Sequence, residues 1–223
     1  MNISFTYNLD KDIKNFLIGK MAHANNPSRR QALFEEKYGK EMDPEKLKKF
    51  ILDYSKEKNI NFEERAKFFQ KTWGEVNDEF FRRMENIFKA KLPAEEIIAY
   101  LTINDRCGYN PGRDGQWYFF ISASCKDPRR LSAHEIFHFY THLCFGNWLK
   151  EKGLSPQEFY DLKESLAEIL NLEFNDLSDG KDFANADYQI PMRQKIVELW
   201  QKEKDIKKVI DEMIKDKTYE KAN

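Results

Sequence analysis

Cysteine is scarce in this chain. Cys107, Cys125 and Cys144 are the only three among 223 residues. An odd number, widely spaced and without a C-x-x-C pair, builds no disulfide framework. A reducing cytoplasm is the compartment such usage points to. Long apolar runs are absent too, at the N-terminus and elsewhere, so neither a signal peptide nor a membrane-spanning helix is expected. Charge of one sign is not in excess. Lys and Arg number 37 against 38 Asp and Glu, a formal net charge of -1, which supports neither a nucleic-acid nor an acidic-membrane partner. There is no internal repeat and no low-complexity segment. Nothing in the composition fixes an oligomeric state. Histidine is nearly as rare as cysteine, with four in the chain, and three of these fall within nine residues.

What is present is the material of a globular core. Hydrophobic residues are 41% and aromatic residues 14% of the chain, with 18 Phe, enough for one sizeable domain or two small ones. Residues 2–8 alternate Ile3, Phe5 and Tyr7 with Ser4 and Thr6, which predicts a strand. Residues 10–23 carry Ile13, Phe16, Leu17 and Met21 at helical spacing. Asn25-Asn26-Pro27-Ser28 breaks that helix, and a short one follows through Tyr38, closed by Gly39. Asp43-Pro44 opens another, with Leu47, Phe50, Ile51 and Tyr54 inward. Residues 61–91 form the longest periodic run, from Phe62 through Trp73 to Ile87, and predict one long amphipathic helix ended by Pro93.

Two strands are expected over 96–103 and 116–123, with a Gly-, Asn- and Asp-rich loop between them. A helix follows the second strand directly and is expected to stop at Gly146. Ser155-Pro156-Gln157-Glu158 starts the next, with Ser as N-cap, Pro at N1 and Glu at N3, and it should run to about Leu172. Residues 173–189 read as an irregular excursion. Pro191 opens a helix with Ile196, Val197 and Trp200, and a last helix carries Ile206, Val209, Ile210 and Met213. The tail after Lys217 is expected to fray. The pattern divides into residues 1–95, a strand plus helices packed on the rest, and residues 96–223, which hold the chemistry, with one continuous domain as the alternative.

That chemistry sits in Ser132-Ala133-His134-Glu135-Ile136-Phe137-His138, which contains H-E-x-x-H. On a helix, residues i and i+4 lie one above the other, so His134 and His138 can aim nitrogens at one atom. Zinc takes such nitrogens at about 2.0–2.1 Å. Glu135 stands about 100° round from His134, beside such an ion rather than on it, where it can take a proton from water. Ser132-x-x-Glu135 also fits a capping box, but Asp127-Pro128 is an equally good helix start and places His134 in the second turn. Ile136, Phe137, Phe139, Tyr140, Leu143, Cys144 and Phe145 cover nearly every direction round the helix, which marks it as buried. Two imidazoles side by side in such a setting need partners, and one metal ion satisfies both.

A catalytic zinc usually has a third protein ligand. His142 lies about 12 Å along the helix from His134 by the 1.5 Å rise, too far to share that ion, so a core or supporting role suits it. No third histidine stands at the metzincin spacing. In Lys163-Glu164-Ser165-Leu166-Ala167-Glu168, the two glutamates are four apart on one helix face. An ordinary solvated acidic face is the plain reading of that pair alone.

H-E-x-x-H, a short link and then a helix with E-x-x-x-E resembles the gluzincin, or thermolysin-like, branch of the zincin metallopeptidases. The resemblance spans about residues 96–172. It implies an α+β, mostly helical fold with a small mixed sheet, the H-E-x-x-H helix and a second ligand helix. It implies Zn2+ held by His134, His138 and Glu164, and Glu168 as the outer acid that fixes the ring of His134. It further implies Glu135 as general base, a peptide or protein substrate, and the strand at 116–123 as an edge for that substrate. A Tyr or His from the C-terminal part would donate to the oxyanion, and Tyr188 is the residue placed for it. The competing reading is a zincin-like protein that binds zinc without catalysis or serves as a regulatory or interaction module. Residues 1–95 resemble no family.

Overall fold

The computed structural model describes residues 1–22, 28–106, 108–178 and 187–215. Of the sequence expectations, the break at 25–27, the segment 179–186, Cys107 and the tail after Lys217 lie outside the described residues. The chain is mostly helical with a small mixed sheet, an α+β arrangement. It forms two compact units: residues 1–77 with 94–128, and residues 78–93 with 129–223. Parallel pairing ties residues 2–7 to residues 96–101, across the expected boundary at residue 95.

The first unit is built on the sheet. β1 (Asn2–Tyr7) pairs in parallel with β2 (Glu96–Thr102), and β2 pairs in parallel with β4 (Trp117–Ser122). The segment expected as loop contributes β3 (Tyr109–Pro111), which runs antiparallel to the start of β4. The order is β1-β2-β4-β3. β4 is buried from Trp117 to Ile121, as an apolar run flanked on both sides must be. It is therefore no open edge over its first half: β3 covers Trp117–Phe119, and Phe120 N–H donates to Gly108 O at 2.9 Å. Pro111 fits at the end of β3, because an edge strand tolerates a residue without an N–H.

β1 is the opposite edge, and side chains close part of it. Gln70 accepts from Phe5 N–H at 3.1 Å and donates to Ile3 O at 2.8 Å, while Asn77 donates to Met1 O at 3.0 Å. Two amide side chains thus stand where a further strand would, one way of blunting an exposed edge.

Gln70 lies on α4 (Phe62–Gly74), and Asn77 opens α5 (Asn77–Phe88). The single long helix expected over 61–91 is thus two. Trp73 Nε1 donates to Asn77 Oδ1 at 2.8 Å, and Val76 N–H turns back to Trp73 O at 3.0 Å, a three-residue closure that ends the α-helical ladder. α1 (Leu9–Ala22), α2 (Arg29–Tyr38) and α3 (Pro44–Glu57) complete this unit. Asp43 caps α3 by accepting from Lys46 N–H at 2.9 Å, as Asp-Pro at a helix start predicts. Phe16, Phe34, Leu47, Phe50, Ile51 and Ile103 form the core between them.

The second unit is helical: α5, then α6 (Pro128–Glu151), α7 (Pro156–Leu166), α8 (Glu168–Glu173), α9 (Ile190–Glu203) and α10 (Ile206–Lys215). α6 runs through Gly146 and stops later. Gly153, at φ +85°, donates to Lys150 O at 3.0 Å, and Leu154 N–H to Leu149 O at 3.2 Å. This is the paired closure that a left-handed glycine after a helix makes. The helix expected to run to Leu172 is interrupted at Ala167, where Leu170 N–H reaches only three residues back, to Ala167 O at 3.0 Å. Among the described residues no helix is long and apolar enough to cross a membrane.

Candidate metal centre

α6 begins at Pro128, so Ser132 lies inside the helix and Glu135 is not the third residue of a capping box. The helix is held from several sides: Ile136, Phe137, Phe139 and Tyr140 are fully buried, and Phe88 sets its ring 5.1 Å from both Phe137 and Tyr140. A helix so clamped presents His134 and His138 in fixed directions, their ring centroids 4.2 Å apart and their planes at 75°.

α7 faces them with charge. Ser155 and Glu158 make both halves of the capping box that starts it. Asp161, Leu162, Lys163, Glu164, Ser165 and Leu166 are then all buried, so the plain reading of a solvated acidic face does not hold for Glu164. The Glu164 side chain is 6% exposed; its Oε2 lies 3.3 Å from His134 Nε2 and its Oε1 3.3 Å from His138 Nε2. These separations exceed the 2.7–2.9 Å or so of a strong charged hydrogen bond. Each is the separation of two donors about 2.0–2.2 Å from one ion, about 3.3–3.5 Å, with a different oxygen of Glu164 beside each histidine. Among the described residues, His134, His138 and Glu164 are the one group of His, Cys, Asp or Glu donors gathered this way, all within 4.8 Å of one another. Glu135 is buried on the same helix and is not one of the three donors.

The protonation states suit a cation. His138 is held well below the ordinary imidazole pKa, first by burial and then by Lys163 and His134, against the opposing pull of Glu164. Burial pushes Glu164 upward, but His138, the hydrogen bonds of both imidazoles and Lys163 outweigh it, and the carboxyl stays well below the usual range. A neutral imidazole and an ionised carboxylate are the forms that bind a metal ion.

No protein-family model, no curated protein and no solved structure matches this chain.

The other expected residues are placed as follows. Glu168 opens α8 rather than sharing a helix with Glu164, and its Oε2 accepts from Arg193 Nε at 2.7 Å. The same buried guanidinium donates to Glu164 O at 3.3 Å, which supports the backbone at the break between α7 and α8. Tyr188 donates its hydroxyl to Asp161 Oδ1 at 2.7 Å and is 39% exposed. Asp161 also accepts from Gln157 at 3.1 Å and Gln189 at 3.4 Å, so it fastens the segment before α9 to the helix that carries Glu164. His142 sets its ring 4.8 Å from that of Phe159 and is not one of the metal donors.

Sequence reasoning missed Lys163 and Arg193. Lys163 is 3% exposed and places Nζ 2.5 Å from Glu164 Oε1. The one signal for it was its position in the Lys163-Glu164 pair. Arg193 has none in sequence, since only the return of α9 along α7 and α8 makes it internal.

Proposed function

We propose that this chain is a zinc-dependent metallopeptidase of the zincin type, gluzincin branch. The observation that supports it most is the meeting of Glu164, from α7, with both histidines of the H-E-x-x-H helix at 3.3 Å each. His134, His138 and Glu164 would hold the ion. Zinc, when bound, supplies a Lewis acid and brings the pKa of water near 7.

The chain's residues do the rest. Glu135 is next to a ligand in sequence and outside the donor set. It takes the proton of the attacking water and returns it to the leaving amine nitrogen. Buried surroundings keep its carboxylate away from bulk water, which strengthens each charge interaction in the site. Tyr188 reaches an oxyanion only by giving up its bond to Asp161, since its proton is directed there.

The test is cleavage of a peptide library by zinc-loaded protein, with and without chelator, beside Glu135→Gln. Cleavage that chelator and Glu135→Gln both abolish supports a peptidase. Zinc held tightly with no cleavage would instead favour a non-catalytic zinc-binding protein.

A further inference from the structure

Lys163 is buried against one of the three donors, and the peptidase chemistry gives it no task. Neighbours i and i+1 on a helix do not face each other. Yet Lys163 Nζ lies 2.5 Å from an oxygen of Glu164, the residue that follows it. The side chain has folded back along its own helix, with Nζ 5.2 Å from the centroid of the Tyr160 ring. The oxygen it holds, Oε1, is the one that faces His138. A buried ammonium needs a partner, and here that partner is a metal donor.

We propose that Lys163 is a positioning residue that competes with a bound cation for the carboxylate of Glu164 and so limits the site's affinity for a divalent metal. The proposal rests on the metal reading of His134, His138 and Glu164, and it goes beyond the ligand set. A ligating imidazole is supported by an acceptor, which makes it a stronger donor, whereas a ligating carboxylate is hydrogen-bonded by donors. Lys163 is such a donor and carries a full positive charge. It withdraws electron density from the ligand oxygen and adds a like charge beside the cation. A carboxylate that donates less also leaves the centre more electrophilic. Opposite charge at such range typically suppresses the basicity of a carboxylate by about 10- to 1000-fold, and a metal ion uses the same lone pairs as a proton.

Zn2+ affinity, read by competition with a chromogenic chelator on chelator-stripped protein, tests this. Lys163→Met should bind Zn2+ at least about tenfold more tightly than wild type. Lys163→Arg, which keeps the charge, should stay within about threefold of wild type. Lys163→Gln keeps a neutral donor and should also bind more tightly; it serves if Lys163→Met does not fold by far-UV circular dichroism. Equal or weaker binding by the neutral variants overturns the proposal and leaves Lys163 as a plain structural ion pair. Zn2+ bound by the neutral variants and not by wild type supports it. Absence of Zn2+ binding in all four proteins overturns it together with the metal reading. The expected order of affinities in a protein that cleaves no peptide supports the proposal while the peptidase reading falls.

Discussion

Asp12 is fully buried in the first turn of α1. It accepts a hydrogen bond from the Thr102 hydroxyl and one from Ile103 N–H at 3.2 Å, which tie α1 to the end of β2. Asn15 continues the network, donating to Thr102 Oγ1 at 3.2 Å and to Arg106 O at 3.0 Å. Burial raises the Asp12 pKa from its ordinary 3.8 to about 7, although both of those bonds favour the carboxylate. The folded chain thus holds this proton more tightly than the unfolded chain. Its contribution to stability is complete below about pH 4 and is lost as pH rises through about 7. A rise from 3.8 to about 7 corresponds to roughly 4 kcal/mol across that window at 1.36 kcal/mol per pH unit. Asp12→Asn removes the charge and keeps one acceptor, for Ile103 N–H, while its NH2 group can donate to the Thr102 oxygen. Urea unfolding of wild type and variant at half-unit steps from pH 4.5 to 8 would show stability falling with pH more steeply in wild type. The difference between the two proteins isolates Asp12 from every other titrating group. Parallel pH profiles would refute this reasoning and mean that the carboxyl ionises in the fold without penalty.

Gly112 has φ +78°, and a Cβ there would lie 2.4 Å from the Trp117 indole. Gly112→Ala should therefore lose more than about 2 kcal/mol in thermal or chemical unfolding, against about 1 kcal/mol for left-handed strain alone. Glu164→Ala should weaken zinc far more than Glu168→Ala, whose loss typically costs about 10–100-fold through the surroundings of the site; chelator competition on both orders them. Because Glu168 pairs with Arg193, Arg193→Met should reproduce part of the Glu168→Ala effect. Glu135→Gln should keep zinc and lose at least about 10²-fold in turnover, measured on any peptide that wild type cleaves.

Local chemistry made much of this molecule legible. Asp43 and Ser155 cap the helices they were expected to cap, because an N-cap needs only a side chain and the next three residues. The spacing of His134 and His138 is likewise a property of one helix. Long-range packing hid the rest. The turn at Trp73–Asn77 depends on an indole-to-amide bond. Gly146 looked like a stop, but the helix is held by its buried apolar residues on both sides, and Gly153 supplies the stop. β3 was hidden in a polar loop because its pairing is decided by β4. Glu164 and Glu168 taken alone read as a solvated face, and the burial of Asp161 and Lys163 beside Glu164 is set by the folded arrangement.

Metal analysis bears most directly on the centre itself. Wild type, the His134→Ala/His138→Ala double variant and Glu164→Gln should be purified without added metal, loaded with Zn2+, desalted and measured by elemental analysis. One Zn2+ per wild-type chain, with strong loss in both variants, is the expected result. Equal zinc in all three proteins would contradict the assignment of these three side chains as the metal centre.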